Sequence, residues 1–308
     1  MKIVFMGSPD FALPSLKSLH ANSDVEVVAV FSQPAKKQGR KMQLKDTVIA
    51  SFAKENDIPV HTPVKLDAEQ VEILKQYNAD LICVVAYGLL LPESVLNVAP
   101  CINVHPSSLP RFRGAAPLQH TLIAGDKTTD MCIMAMEKGL DTGDVFKRIS
   151  YELSDDTYLD THHDYMASEG AEHLLDVVLN WGNYKDKAVK QVEEGVVYAH
   201  KIDKATQKLD FSKTATELYN LVRGLSPVPG GIVSFEDVNY KIYKTQVISQ
   251  DHSYKNGEVV FADRKNGLVV ACAKDLLRLE VIQKPGKGKM NDIDLLNGLK
   301  INIGDCFD

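Results

Sequence analysis

No apolar run in this chain approaches the length that crosses a bilayer, so a membrane-embedded protein is not expected. The opening MKIVFMGSPD holds an apolar run too short for a secretory signal. Cysteine is sparse: Cys83, Cys101, Cys132, Cys272 and Cys306 lie far apart, with no CxxC pair and no metal-ligand spacing. Neither a disulfide framework nor a metal site is expected from them. Three sit in strand-like runs and read as buried free thiols, which fits a reducing cytoplasm. The GxGxxG fingerprint is also missing. The first turn, GSPDFA, follows a strand and opens a helix but lacks those glycines, which removes the main support for a nicotinamide-dependent oxidoreductase. There is no internal repeat and no low-complexity tract.

What is present is an ordinary core-forming composition, 44% hydrophobic and 25% charged. At 308 residues the chain exceeds what one compact core usually serves, so two domains are expected. The formal net charge of −6 argues against a surface coated in positive charge, yet not against local basic patches. QPAKKQGRKMQLK, residues 33 to 45, carries Lys36, Lys37, Arg40, Lys41 and Lys45 and no acid. QKPGKGKM carries Lys284, Lys287 and Lys289, again without an acid. Either run alone reads as a solvated loop; two of them in an acidic chain point to a polyanionic partner.

The order of elements divides the chain. Apolar runs KIVFM, VEVVAVF, ADLICVVAYG and CINVH alternate with helix-like segments near 45–56 and 67–77, a pattern that implies a parallel sheet covered on both faces. A helix over about 156–181 closes this half. Residues 190–208 read as a linker after a first domain of 1–189. TATELYNLVRGL is one helix, and from 231 onward short alternating runs such as YKIYKT and GLVVACA suggest a small β-barrel in a domain of 209–308.

The stretch CINVHPSSLPRFRGAAPLQH raises a chemical question. Asn103 and His105 stand two apart at the end of a strand, so they share one side. Ligands in open parallel sheets gather beyond the strands' carboxyl ends. An amide donor and a group that carries a proton near neutral pH would suit a polarised carbonyl. For the two residues alone, a loop cap and a backbone tie are the simpler reading. The loop KGLDTGDVF adds Asp141, 36 residues beyond His105, and a carboxylate there could orient the ring. Asp144 reads as a turn residue.

NVHPSSLPRFRGAAPLQH with GLDTGD, after FMGSPDFALPSL and AYGLLLP, resembles the methionyl-tRNA formyltransferase family, among the 10-formyltetrahydrofolate-dependent formyltransferases. The resemblance runs nearly end to end. It implies an α/β fold, with a Rossmann-like, mostly parallel formyltransferase domain followed by a small OB-like β-barrel. It implies a catalytic trio of Asn103, His105 and Asp141, in which Asn103 and protonated His105 stabilise the oxygen that turns negative as an amine attacks the formyl carbon. Ser107, Ser108, Leu109 and Pro110 match the folate-site loop, where Ser108 replaces the family's usual Leu. Tyr87, Gly88 and Leu89 match a loop that contacts the pterin. Lys36, Lys37, Arg40 and Lys41 match a tRNA-facing loop, although RKMQLKD lacks the prolines common there, and the basic run of Lys284, Lys287 and Lys289 in the barrel is expected to grip the tRNA as well. The implied reaction moves a formyl group from 10-formyltetrahydrofolate, without a metal, to the amine of initiator methionyl-tRNA, in a cytoplasmic monomer. A sugar-nucleotide formyltransferase is the nearest rival. An inert RNA-binding protein would explain the basic runs but not the trio.

Overall fold

The computed structural model describes residues 1–38 and 42–308. The chain forms two compact units, and both are assembled from separated stretches. The first comprises Met1–Pro117, Thr128–Glu152 and His163–Ala199. Its seven-stranded sheet runs, edge to edge, Val145–Glu152, Thr128–Ala135, Cys101–His105, Leu81–Val85, Lys2–Gly7, Glu26–Phe31 and Val60–His61. Five of these strands, from Cys101–His105 to Val60–His61, pair in parallel; the other two join antiparallel at one edge.

Sequence explains this order. Every residue of LICVV and CINVH is buried, as expected of strands covered on both faces. Two helices that follow strands begin on side-chain caps: Thr47 accepts from Ala50 N before Val48–Glu55, and Asp67 accepts from Gln70 N before Ala68–Gln76. On the helix Leu159–Leu179, Gly170 lies so close to the sheet that a Cβ there would sit 2.8 Å from Val104 Cγ1. Among the described residues no helix is long and apolar enough to cross a membrane.

The second unit comprises Leu118–Lys127, Leu153–His162 and His200–Asp308. An antiparallel sheet runs Gly231–Phe235, Val238–Ile248, Leu276–Gln283, Gly267–Ala271, Val259–Asp263, with Lys289–Asn291 also pairing onto Leu276–Gln283. Its two edges are joined by the last residues of the chain. Asp308 exchanges backbone hydrogen bonds with Ser234 on one edge strand, and Val259 N donates to Asp305 O on the other. Phe307 packs its ring on Phe235 at 5.1 Å, inside the apolar core. Helix Ala215–Leu225 covers that core and opens with a reciprocal capping box between Thr214 and Glu217.

The division of the chain differs from a simple cut at the polar stretch after residue 189. Residues 190–199 pack with the first unit: Val197–Ala199 pairs in parallel with Arg111–Gly114. Residues 118–127 and 153–162 pack with the second. There Arg223 Nη1 donates to Thr157 O at 3.1 Å, Tyr219 Oη donates to Asp155 O at 3.0 Å, and Gly224 lets its helix approach Ile123.

Candidate active site

Asn103, Val84, Met6 and Phe31 stand level across four neighbouring strands, so the loops after these strands leave the sheet together at its carboxyl edge. Asn103 and His105 lie at this edge on the strand Cys101–His105, both nearly buried. Among the described residues nothing hydrogen-bonds the Asn103 carboxamide, which leaves two donors and an acceptor for a ligand.

His105 is held differently. Its Nε2 lies 2.9 Å from the carbonyl oxygen of Phe112. A carbonyl only accepts, so Nε2 carries the hydrogen and Nδ1 is the working nitrogen. Nδ1 faces Asp141 Oδ2 at 3.6 Å, an ion-pair distance too long for a direct hydrogen bond. Asp141 Oδ2 instead accepts from Gly114 N at 2.8 Å. Gly114 has φ +121°, and a Cβ there would sit 2.8 Å from Ala199 O, so only glycine brings its N–H to this carboxylate. Phe112 and Asp141 themselves have φ of 63° and 52°. Backbone strain of this kind concentrates where a site imposes it.

A second layer fixes the Asp141 loop. Gln191 Nε2 donates to Asp141 O at 2.9 Å and to Gly143 O at 2.8 Å. Its Oε1 accepts from Arg113 Nε at 3.0 Å and Nη2 at 2.8 Å. Both side chains are buried. Phe112, Arg113, Gly114 and Gln191 were not singled out by sequence. Their proximity to the trio in RFRG was the only hint for the first three, and Gln191, in a polar stretch, carried none.

The expected folate-loop residues divide into two groups. The Ser107 side chain points inward and donates to Arg111 O at 2.8 Å; Leu109 packs with Cys132, Met134 and Val145. The Tyr87 ring is buried in the core, where its hydroxyl has no partner among the described residues and its pKa is pushed up to about 12 by burial. Only backbone is available to a ligand from Tyr87. Ser108, Pro110 and Leu89 are half-buried and Gly88 is exposed. Gln33 ties this loop down, donating from Nε2 to Tyr87 O and Gly88 O, while its own N–H meets Ser8 Oγ.

Of the basic residues, Lys36 and Lys37 are exposed on the strand Lys36–Gln38, which pairs with Gln43–Lys45. Arg40 and Lys41 lie outside the described residues. In the second unit Lys284 and Lys287 flank a turn, and Lys289 Nζ sits 3.7 Å over the Tyr243 ring. Among the described residues no group of three or more His, Cys, Asp or Glu could hold a metal ion.

Residues 1–178 match the formyl transferase family, and residues 201–300 match the formyl transferase C-terminal domain. The chain belongs to the formyl transferase family. It is 38% identical over 303 residues to the methionyl-tRNA formyltransferase of Rickettsia massiliae, covering 98% of each chain. Among solved structures, the methionyl-tRNA formyltransferase from Clostridium thermocellum superposes with a TM-score of 0.56 at 17% identity, over 84% of this chain and 95% of that one. WlaRD, a sugar 3N-formyl transferase solved with dTDP and 5-N-formyl-THF, gives a TM-score of 0.67 at 17% identity, over 94% and 99%. At such identities the structures speak for the shared fold.

Proposed function

We propose that this chain transfers the formyl group of 10-formyltetrahydrofolate to the α-amino group of methionine on initiator tRNA, supplying formylmethionyl-tRNA for translation initiation. One observation carries the reading. A buried, unpaired carboxamide and an imidazole facing a carboxylate meet at the strand ends of a chain similar from end to end to methionyl-tRNA formyltransferases.

The residues present fit a formyl donor, since the Asn103 carboxamide has no described protein partner and the exposed Gly88 lies on a loop tied to the same sheet edge. When bound, 10-formyltetrahydrofolate supplies the activated formyl group. Gly88, Leu89, Ser108 and Pro110 offer surface to its ring system, and Tyr87 contributes backbone. Asn103 donates toward the formyl oxygen, whose charge grows as the amine attacks. His105, its Nε2 hydrogen committed to Phe112, acts through Nδ1. Asp141 faces that nitrogen and accepts, through water, the proton the amine sheds, which passes on to N10 of the folate as the bond between N10 and the formyl carbon breaks. Gly114, Gln191 and Arg113 are positioning residues for Asp141. Four of the five cysteines are buried and all are free, as suits a cytoplasmic protein.

The test is formylation of charged initiator tRNA by the purified protein, run beside an amino-sugar nucleotide and beside formyl release to water. Asn103→Ala and His105→Ala should each lower kcat by about 100- to 1,000-fold, with folate binding retained. Transfer to the sugar nucleotide alone would replace this reading with the sugar one.

A further inference from the structure

We propose that a cavity of ≈ 410 Å³ in the first unit, between the paired strands Lys36–Gln38 and Gln43–Lys45 and the loops after the first two strands, receives the 5′-phosphate of the terminal nucleotide of the aminoacyl-tRNA. The inference deepens the functional reading above and rests on it. Lys36 and Lys45 both line the cavity and stand directly opposite each other in the hairpin. Like charges in that register repel, and among the described residues neither ammonium pairs with a carboxylate. Among the described residues Lys36 Nζ reaches only the neutral Gln33 Oε1, at 2.5 Å. Lys45 has no acceptor among the described residues.

The two carboxylates of the cavity wall are engaged elsewhere. Asp46 pairs with Lys54 at 2.5 Å, and Asp10 accepts from Phe11 N and faces His163 at 3.6 Å. Thr47 and Val48 add the N-terminal end of helix Val48–Glu55, whose dipole has the same sign as the lysines. An anion between Lys36 and Lys45 would satisfy both ammonium groups and offset their repulsion.

Distance selects which anion. The wall runs from Ala86–Tyr87, one strand away from the His105 strand, to Gln33–Pro34, three strands away. At a spacing of about 4.8 Å per strand, its middle lies roughly 10 Å from the imidazole. In an aminoacyl-tRNA, eight bonds join the reactive amine to the 5′-phosphorus of the terminal nucleotide, a reach of about 10 Å when extended. An amine at Asn103 and His105 therefore sets that phosphate within the cavity whose lining includes Lys36 and Lys45.

Two small substrates isolate the phosphate: the methionyl ester of adenosine and the methionyl ester of adenosine 5′-monophosphate. The protein should favour the phosphorylated ester by about 10-fold in kcat/KM. Lys36→Ala and Lys45→Ala should bring the ratio close to one, and Lys45→Arg should keep most of it. The same ratio is read from inhibition of tRNA formylation by 5′-AMP against adenosine, should the esters turn over too slowly. An unchanged ratio in both alanine variants overturns the proposal, as does an equal loss on both esters. A raised KM for 10-formyltetrahydrofolate with the ratio intact also overturns it, by giving the cavity to the folate's carboxylates. If the wild type formylates charged tRNA but does not discriminate the phosphate by either readout, this proposal alone fails. If the wild type formylates no aminoacyl substrate, the functional reading fails with it.

Discussion

Gln191 joins two parts of the site that would otherwise be independent. Its amide can point only one way, because Arg113 needs an acceptor and the carbonyls of Asp141 and Gly143 need donors. Gln191→Ala should therefore leave a buried guanidinium and two carbonyls without partners. Unfolding in denaturant should show a loss of about 2–3 kcal/mol. Loss of packing alone would stop there. Loss of positioning should also lower kcat with little change in KM for the folate, because the Asp141 carboxylate would drift from Nδ1 while the ligand-facing loops stay in place. A variant that unfolds more easily yet keeps wild-type kcat would reduce Gln191 to a structural role. Asn103, His105 and Asp141 stood out as candidates in the strand-end spacing and the GLDTGD loop, and their grouping as a trio was what the resemblance to formyltransferases implied. The hydrogen that fixes the His105 tautomer could not. It depends on Phe112 holding a left-handed backbone angle, and nothing about a phenylalanine in RFRG announces that conformation.

At the scale of elements, the strand carrying Asn103 and His105 is braced by helix Leu159–Leu179 through Gly170. Gly170→Ala sets two effects against each other. Alanine improves an interior helical position by about 1 kcal/mol. Its methyl group would lie 2.8 Å from Val104 Cγ1 and 3.3 Å from Met131 Cε. Val104 cannot retreat, since its strand is bonded on both sides, and such overpacking costs about 1–3 kcal/mol. The second effect should win, lowering Tm and, through the displaced strand, kcat. A raised Tm would show that the helix slides freely. Elements of this central sheet were legible because LICVV is a continuous apolar run and CINVH opens as one, and a run buried on both faces needs no other signal. The pairing of Arg111–Gly114 with Val197–Ala199 was not legible. Its two segments, RFRG and VYA, are short and more than eighty residues apart, so neither periodicity nor a turn marks them. The same reason hid the interleaved make-up of the two units: residues 118–127 and 153–162 join the second through Asn220, Arg223 and Gly224, contacts that no linear boundary signal encodes.

The whole molecule responds to pH and salt through groups outside the catalytic trio. Burial lowers the pKa of His61, whose Nε2 meets Tyr77 Oη at 2.7 Å, and of His173. Both take up a proton at a lower pH in the fold than in the unfolded chain, which protonates near pH ~6.5. The unfolded state binds more protons below that value, so stability should be flat above about pH 7 and fall as pH drops through ~6.5 toward the lowered folded values. His61→Gln, which keeps a hydrogen-bonding group for Tyr77, should shrink the difference in denaturant midpoint between pH 7.5 and pH 5.5. An equal difference in the variant would assign the effect elsewhere. Salt tests the other end of the charge pattern. A chain of net charge −6 repels tRNA overall, so binding must come from local clusters. Each phosphate contact releases counterions, and the slope of log affinity against log salt counts them at about 0.7–0.9 per contact. Lys284 and Lys287 flank a turn, and no ion pair with a carboxylate holds either among the described residues. Lys289 is committed to the Tyr243 ring. Neutralising Lys284 and Lys287 together should flatten the slope by up to roughly 2, with Tm unchanged. Lys289→Ala should lower stability by about 0.5–1 kcal/mol and flatten the slope less. Binding of initiator methionyl-tRNA measured from 50 to 300 mM salt separates the two, because a stacked cation and a free one cannot both count fully as phosphate contacts. A slope that falls more for Lys289→Ala than for the double variant would mean that the ammonium leaves the ring when tRNA arrives.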